Sequence, residues 1–261
     1  MRRLLISLIA AVAAGIVGVA AQSNSVISLD NESLNYNVYY KWGLINKLAG
    51  HATMSLVTDG ENYRASVVAS NASWANKIYF LRDTLYSTMT KDKLYPIDYI
   101  FIAHENGKYR KETVKFSRTG DTFFGECFRT IRKKKDGPLS TTETSLEAKG
   151  MTVDMLSTFF YLRTLDFASM KPGDSDVINI FSAKKKEKLS ITYRGKAKVK
   201  IDGKEHETYM LSFTFTRNGV ESSAPIYGWI SADRRRIPLK VEGSLPVGKV
   251  RAIFSGETPV K

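Results

Sequence analysis

The stretch MTVDMLSTFFYLRTLDFASM, residues 151–170, decides the fold. It is the one long segment beyond the N-terminal leader whose apolar positions follow a helical period. Leu156, Phe159, Phe160 and Leu165 recur at near-helical spacing and share one face. Thr152 or Asp154 can cap the start, because a short side-chain oxygen satisfies an amide with no intrahelical partner. Pro172-Gly173 stops it. The spacing predicts a helix over 153–167. On either side, apolar and polar residues alternate, the period of strands that bury one face. The chain therefore reads as mainly β, an antiparallel meander forming a sandwich or a partly open barrel, with one central helix packed on it.

Working outward, Leu34, Tyr36, Val38, Tyr40 and Trp42 alternate with polar neighbours and predict an N-terminal strand. Residues 52–57 and 63–69 flank Asp59-Gly60, a hairpin signal because both turn residues tolerate positive φ. Ser73 to Leu81 reads as a short helix with Trp74, Ile78 and Leu81 on one side. Strand pairs follow at 83–90 and 97–104 around Tyr95-Pro96, then at 108–117 and 122–132 around Thr119-Gly120. Lys133 to Gly150, rich in Lys, Ser, Thr and Glu, reads as a mobile loop or a linker. After the helix the expected strands are 176–182, 188–194, 196–201, 207–216, 226–231, 237–242 and 248–254. Such evenly spaced turns suit an all-β sandwich or barrel. The two halves, about 30–132 and 175–256, are expected to form one domain over 22–261, joined through the helix.

Residues 1–21 read as a cleaved export signal: Arg2-Arg3, an apolar run from Leu4 to about Val19, and the small-residue site Val19-Ala20-Ala21. Removing them lowers the net charge from +13 to +11 and leaves a periplasmic or secreted protein. A cationic exported protein is expected to meet anionic lipid headgroups, glycans or cell wall rather than nucleic acid. Cys127 is the sole cysteine and alternates with Phe123, which marks it as a buried thiol.

No motif asks for a cofactor or a metal. G-x-S-x-G, H-E-x-x-H, C-x-x-C and the phosphate-cradling loop are all missing, and His51, His104 and His206 lie far apart. Asp154, Glu126 and Asp233 are the acids an enzyme on glycan or cell-wall material would have to assemble. Basic clusters fall at predicted turns. Lys133, Lys134, Lys135 and Arg234, Arg235, Arg236 are candidates for contact with an anionic surface, against the plain reading of solvated turn charges. Tyr40, Trp42, Phe159 and Phe160 would converge if the helix packs on the N-terminal sheet, as core or as the wall of an apolar ligand cavity. Arg163 lies near that stripe. It either snorkels to water along its stem or reaches a carboxylate or strand carbonyl, pinning helix to sheet or lining a pocket mouth.

Trp42-Gly43, Ala49-Gly50-His51-Ala52, Tyr95-Pro96, Gly107-Lys108-Tyr109-Arg110, Asp154 to Arg163, and Trp229 with Asp233 to Pro238 occur in an order that resembles the exported bacterial family called domain of unknown function 3108, across roughly 34–254. The resemblance implies a β-rich envelope protein and carries over no catalytic residue. The expectation is a non-enzymatic binding protein for a lipid or other amphipathic ligand. A structural or interaction module of the envelope is the alternative, and a glycan-acting enzyme ranks third.

Overall fold

The computed structural model describes residues 29–77, 79–217, 220–221 and 224–260; the expected export signal and Ile78 lie outside them. The chain runs β1 (Glu32–Trp42), β2 (Ile45–Asp59), β3 (Asn62–Asn71), α1 (Ser73–Asn76), β4 (Leu81–Thr90), β5 (Pro96–Glu105), β6 (Lys108–Thr119), β7 (Thr122–Arg132) and β8 (Ser140–Lys149). Then come β9 (Thr152–Val153), α2 (Ser157–Arg163), β10 (Ser175–Ser182), β11 (Lys185–Ile201) and β12 (Lys204–Arg217). The last strands are β13 (Val220–Glu221), β14 (Ile226–Ser231), β15 (Pro238–Ser244) and β16 (Lys249–Glu257).

All strands belong to one sheet in the order β8-β7-β6-β5-β4-β3-β2-β1-β16-β15-β14-β12-β11-β10-β9, with β13 beside β12. The two halves are joined by the first and last strands, β1 on β16, where Tyr36 meets Phe254 edge-on. This first-to-last pairing makes a curled, nearly closed barrel out of what two separate sheets would have left as a sandwich. The gap between β8 and β10 is bridged without a ladder. Thr152-Val153 lies parallel to β10, and Asn179 of β10 donates from its backbone to Met151 O (2.8 Å) and from its side-chain amide to Lys149 O (2.9 Å).

Turn chemistry sets the registers. Gly60 at φ +56° and the Asn106-Gly107 pair at +45° and +75° form tight hairpins that an extended backbone could not. Two expectations are corrected. Residues 140–149 form β8 rather than a loop or linker: at an edge, with one face in solvent, its Thr-rich sequence needs only Leu146 and Ala148 turned inward. Residues 188–201 form one strand, β11, with a bulge between Tyr193 and Gly195, whose φ is +101°. The expected helix over 73–81 is the four-residue α1, and Leu81 opens β4.

The helix is also shorter than its apolar period. Val153 is taken by β9, 154–156 form the capping turn, and α2 spans seven residues, six of them buried. A helix buried nearly all round lies inside the core rather than on it. Phe160, Leu156 and Leu162 belong to the same apolar cluster as Leu34, Leu85, Ile191 and Leu211, contributed by strands all along the sheet. On the β6–β7 side Phe181 fills the interior, stacked on Phe116 with centroids 5.7 Å apart.

Candidate functional site

The interior around α2 is the candidate site, and polar anchors hold the helix there. Asp154 rather than Thr152 caps it: one carboxylate oxygen accepts from the amides of Leu156 (2.7 Å) and Ser157 (2.8 Å), and Ser157 Oγ accepts from the Asp154 amide in return (2.9 Å). The other oxygen accepts from Ser87 of β4 at 2.6 Å. Burial pushes the Asp154 carboxyl up to about 6 against the opposing pull of these hydrogen bonds.

At the opposite end Arg163 is 2 % exposed and grips Glu32 of β1 with both guanidinium nitrogens, one bond measuring 3.1 Å. It also donates to Arg235 O at 2.8 Å. Of the two readings of Arg163, the helix-to-sheet pin describes its place. Arg235 lies 3.6 Å from Glu32 and pairs bidentately with Glu257. Arg236 donates to the carbonyls of Arg163 (2.8 Å) and Leu165 (2.6 Å) just past α2, where a cation also complements the helix dipole. Arg236 takes a positive φ of +49°, a conformation these bonds hold in place. A third anchor joins the Tyr161 hydroxyl to Asp176 of β10.

Between α2 and the inner faces of β12, β14 and β15 lies an apolar recess of about 10 Å³, walled by residues that include Phe159, Leu162, Leu211, Phe213, Gly228 and Val241. That is space for about one water. Gly228 keeps the floor low, since a Cβ there would come within 3.0 Å of the Phe213 ring.

A charged network lines the β4–β7 side. Tyr79 donates to Glu105 (2.7 Å), Arg110 lies 3.7 Å from both Glu105 and Glu112, and Arg129 holds Glu112 at 2.8 Å. Asp83 beside them is 3 % exposed with one carboxylate oxygen unpartnered, and burial, reinforced by Glu105, raises it to about 7. Cys127 is buried as expected, its thiol pushed up to about 11 by burial. Among the described residues no group of three His, Cys, Asp or Glu could hold a metal ion, and no helix is long and apolar enough to cross a membrane.

The sequence candidates separate in space. Phe159, Phe160 and Arg163 come together on α2, whereas Tyr40 and Trp42 sit at the far end of β1 from Glu32 and its partner Arg163. Tyr36 joins Phe160 and Tyr161 in the core, but Tyr40 and Trp42 do not, because β1 is eleven residues long, a span of roughly 35 Å in a strand. Trp42 is 55 % exposed there. Lys133, Lys134 and Lys135 stand exposed in the β7–β8 connection, while Arg235 and Arg236 are committed to Glu257, Glu32 and the helix end, leaving Arg234 exposed. Asp154, Glu126 and Asp233 do not assemble: Asp154 caps α2, Asp233 accepts from the amides of Arg235 and Arg236, and Glu126 is exposed on β7. Sequence reading missed Glu32 and Asp83. The signal was present: Glu32 is in period-two line with Leu34, Tyr36 and Val38, and Asp83 with Leu81, Leu85 and Met89.

Comparison with known proteins now bears on this geometry. A β-barrel-like protein of domain of unknown function DUF1849 from Brucella abortus superposes with a TM-score of 0.60 over 90 % of this chain and 100 % of that one, at 11 % identity, a likeness of fold. The lipoprotein LppX of Mycobacterium tuberculosis aligns over 88 % of this chain and 89 % of its own, at 14 % identity and a TM-score of 0.27. No curated protein sequence matches. The family described as "Protein of unknown function (DUF3108)" matches residues 35–255, and with the order of motifs along the barrel and its helix this places the chain in that family.

Proposed function

We propose that this chain is a non-catalytic binding protein of the cell envelope, exported by its N-terminal leader, that takes an amphipathic molecule such as a lipid into the barrel beside α2. The apolar recess against Phe159 and Leu162 carries the reading: it is a gap in the packing of α2 on the inner faces of β12, β14 and β15. At about 10 Å³ the recess is closed to a ligand, so entry of an acyl chain requires the anchors of α2 to Glu32, Ser87 and Asp176 to release. The charged network from Asp83 to Arg129 gives a polar end to the same interior.

Native mass spectrometry of the protein purified from its own envelope tests this. A ligand adduct removable by organic solvent is expected, and a clean apo mass overturns the proposal. The unpaired outer edge of β8 supports a second reading, an envelope interaction module that adds a partner strand there. Cross-linking from Thr142 to a partner protein, in a sample whose native mass is apo, would favour it.

A further inference from the structure

A group of exposed apolar residues lies far from α2, on two neighbouring hairpin tips. Trp42, Leu44 and Ile45 at the β1–β2 turn are 55 %, 105 % and 49 % exposed, and Val247 at the β15–β16 turn is 54 % exposed. β1 pairs with β16, so the tips stand side by side. The Tyr40 hydroxyl donates to Val247 O at 3.1 Å, and Gly248 packs against the Lys41 carbonyl with no room for a side chain. The patch is therefore preformed.

Turn chemistry does not ask for these residues. Gly43, at φ +53°, supplies the positive φ the turn needs. Leu44 buries nothing and could be any polar residue as far as folding is concerned. Scattered exposed apolar residues are ordinary, but a contiguous group rimmed by polar residues marks an interaction surface.

Charge identifies the partner. Lys41, Lys47, Lys249 and Arg251 surround the tips, and no Asp or Glu occurs between Glu32 and Asp59 or between Glu242 and Glu257. Lys47 lies over the Trp74 ring at 3.9 Å, and Arg251 reaches Asn46. Glu242, the acid that flanks the second tip, is itself bound by Lys240 and Lys249. An antiparallel sheet sends alternate turns to the same end, so the Lys133–Lys135 connection and the Lys184–Lys186 turn face the same way as these tips, while Arg234–Arg236 lie at the other end. A tryptophan and three aliphatic side chains projecting from a collar of cations match the layered chemistry of a bilayer surface, apolar beneath and anionic at the headgroups. Lysine stems reach along that boundary with their charges in the headgroup layer.

We infer that the paired tips Trp42–Ile45 and Leu245–Gly248 are a docking surface for an anionic lipid bilayer, with Leu44 and Trp42 entering the headgroup–acyl boundary. This inference is independent of the interior ligand: the tip is on the surface, at the opposite end of β1 from the Arg163 anchor.

Flotation with vesicles tests it, using protein purified from its own envelope and either pure phosphatidylcholine or a mixture with phosphatidylglycerol. Binding is expected to the anionic vesicles, weakening steeply with salt. Leu44→Asp should abolish it with an unchanged circular dichroism spectrum. Lys41→Gln and Lys47→Gln should each weaken it about five-fold, the worth of one basic residue at an anionic surface. Equal binding of Leu44→Asp and wild type overturns the inference, as does equal binding to neutral vesicles. Sedimentation separates the competing occupant: a concentration-dependent dimer that Leu44→Asp dissolves, without vesicle binding, assigns the patch to a second copy of the chain and overturns the inference too. Native mass adducts, the readout for the interior ligand, should be the same in Leu44→Asp and wild type.

Discussion

Removing the Arg163 guanidinium tests the central claim that buried charge pins α2 to the sheet. Arg163→Ala leaves the Glu32 carboxylate, whose side chain is 2 % exposed, without its bidentate partner. It also leaves Arg235 O without the donor now 2.8 Å away. Stranding one member of a buried pair costs about 3–5 kcal/mol. Arg235, 3.6 Å from Glu32 and partly exposed, remains to offset some of that, so the expected loss is about 3 kcal/mol, at the lower end of the range. Glu32→Leu should cost a similar amount by stranding Arg163. The double variant Arg163→Met with Glu32→Leu removes both charges and fills the space with apolar atoms, which in buried pairs comes out near neutral. It should therefore recover most of what either single variant loses. Urea melts decide it, read at constant slope so that a shifted midpoint reports stability alone. The reasoning fails if both single variants lose less than about 0.5 kcal/mol, the range of ordinary surface substitutions, or if the double variant loses the sum of the two.

Two further outcomes follow from the interior. Asp83 holds its proton to about pH 7 when folded, against an ordinary value of 3.8. The native state therefore binds more protons than the unfolded state between roughly pH 4 and 7, and the Asp83 contribution declines as pH rises through that window and is flat above it. Asp83→Asn cannot ionise and should gain on wild type by on the order of 3 kcal/mol from pH 4 to pH 7.5; paired melts showing a pH-independent difference would refute this. Gly125 of β7 faces Phe181, whose ring would lie 2.8 Å from an added Cβ. Gly125→Ala should cost about 2 kcal/mol through overpacking, with much of that restored by Phe181→Leu in a thermal-melt cycle, and full additivity would count against the contact.

The hairpins were legible from sequence because each is decided within a few residues: alternation sets the face, and a pair such as Asp59-Gly60 or Asn106-Gly107 sets the register. β8 escaped for the same physical reason. Its first four residues are exposed on both faces, so alternation shows only near Leu146 and Ala148, and its pairing with β7 orders the rest. The helix was recognised by its apolar period, yet its length was not: Val153 pairs with β10, the Asp154 cap takes 154–156, and Thr164 closes the helix on the Tyr161 carbonyl.

Local periodicity, turn chemistry and the order of motifs suffice for the class of fold, the position of the helix and the membership of the family. Which charges are buried, and with whom, follows from contacts between distant parts of the chain. Glu32 and Arg163 are 131 residues apart, and nothing local assigns the one to the other. Folding brings them together because β1 pairs with the last strand and curls the sheet around α2, so a side chain that water would otherwise solvate must find its counterion inside. The same closure carries Trp42 away from the helix it was expected to meet and leaves it on an exposed tip, since period two fixes which face of a strand a residue takes but not what lies beyond the end of that strand.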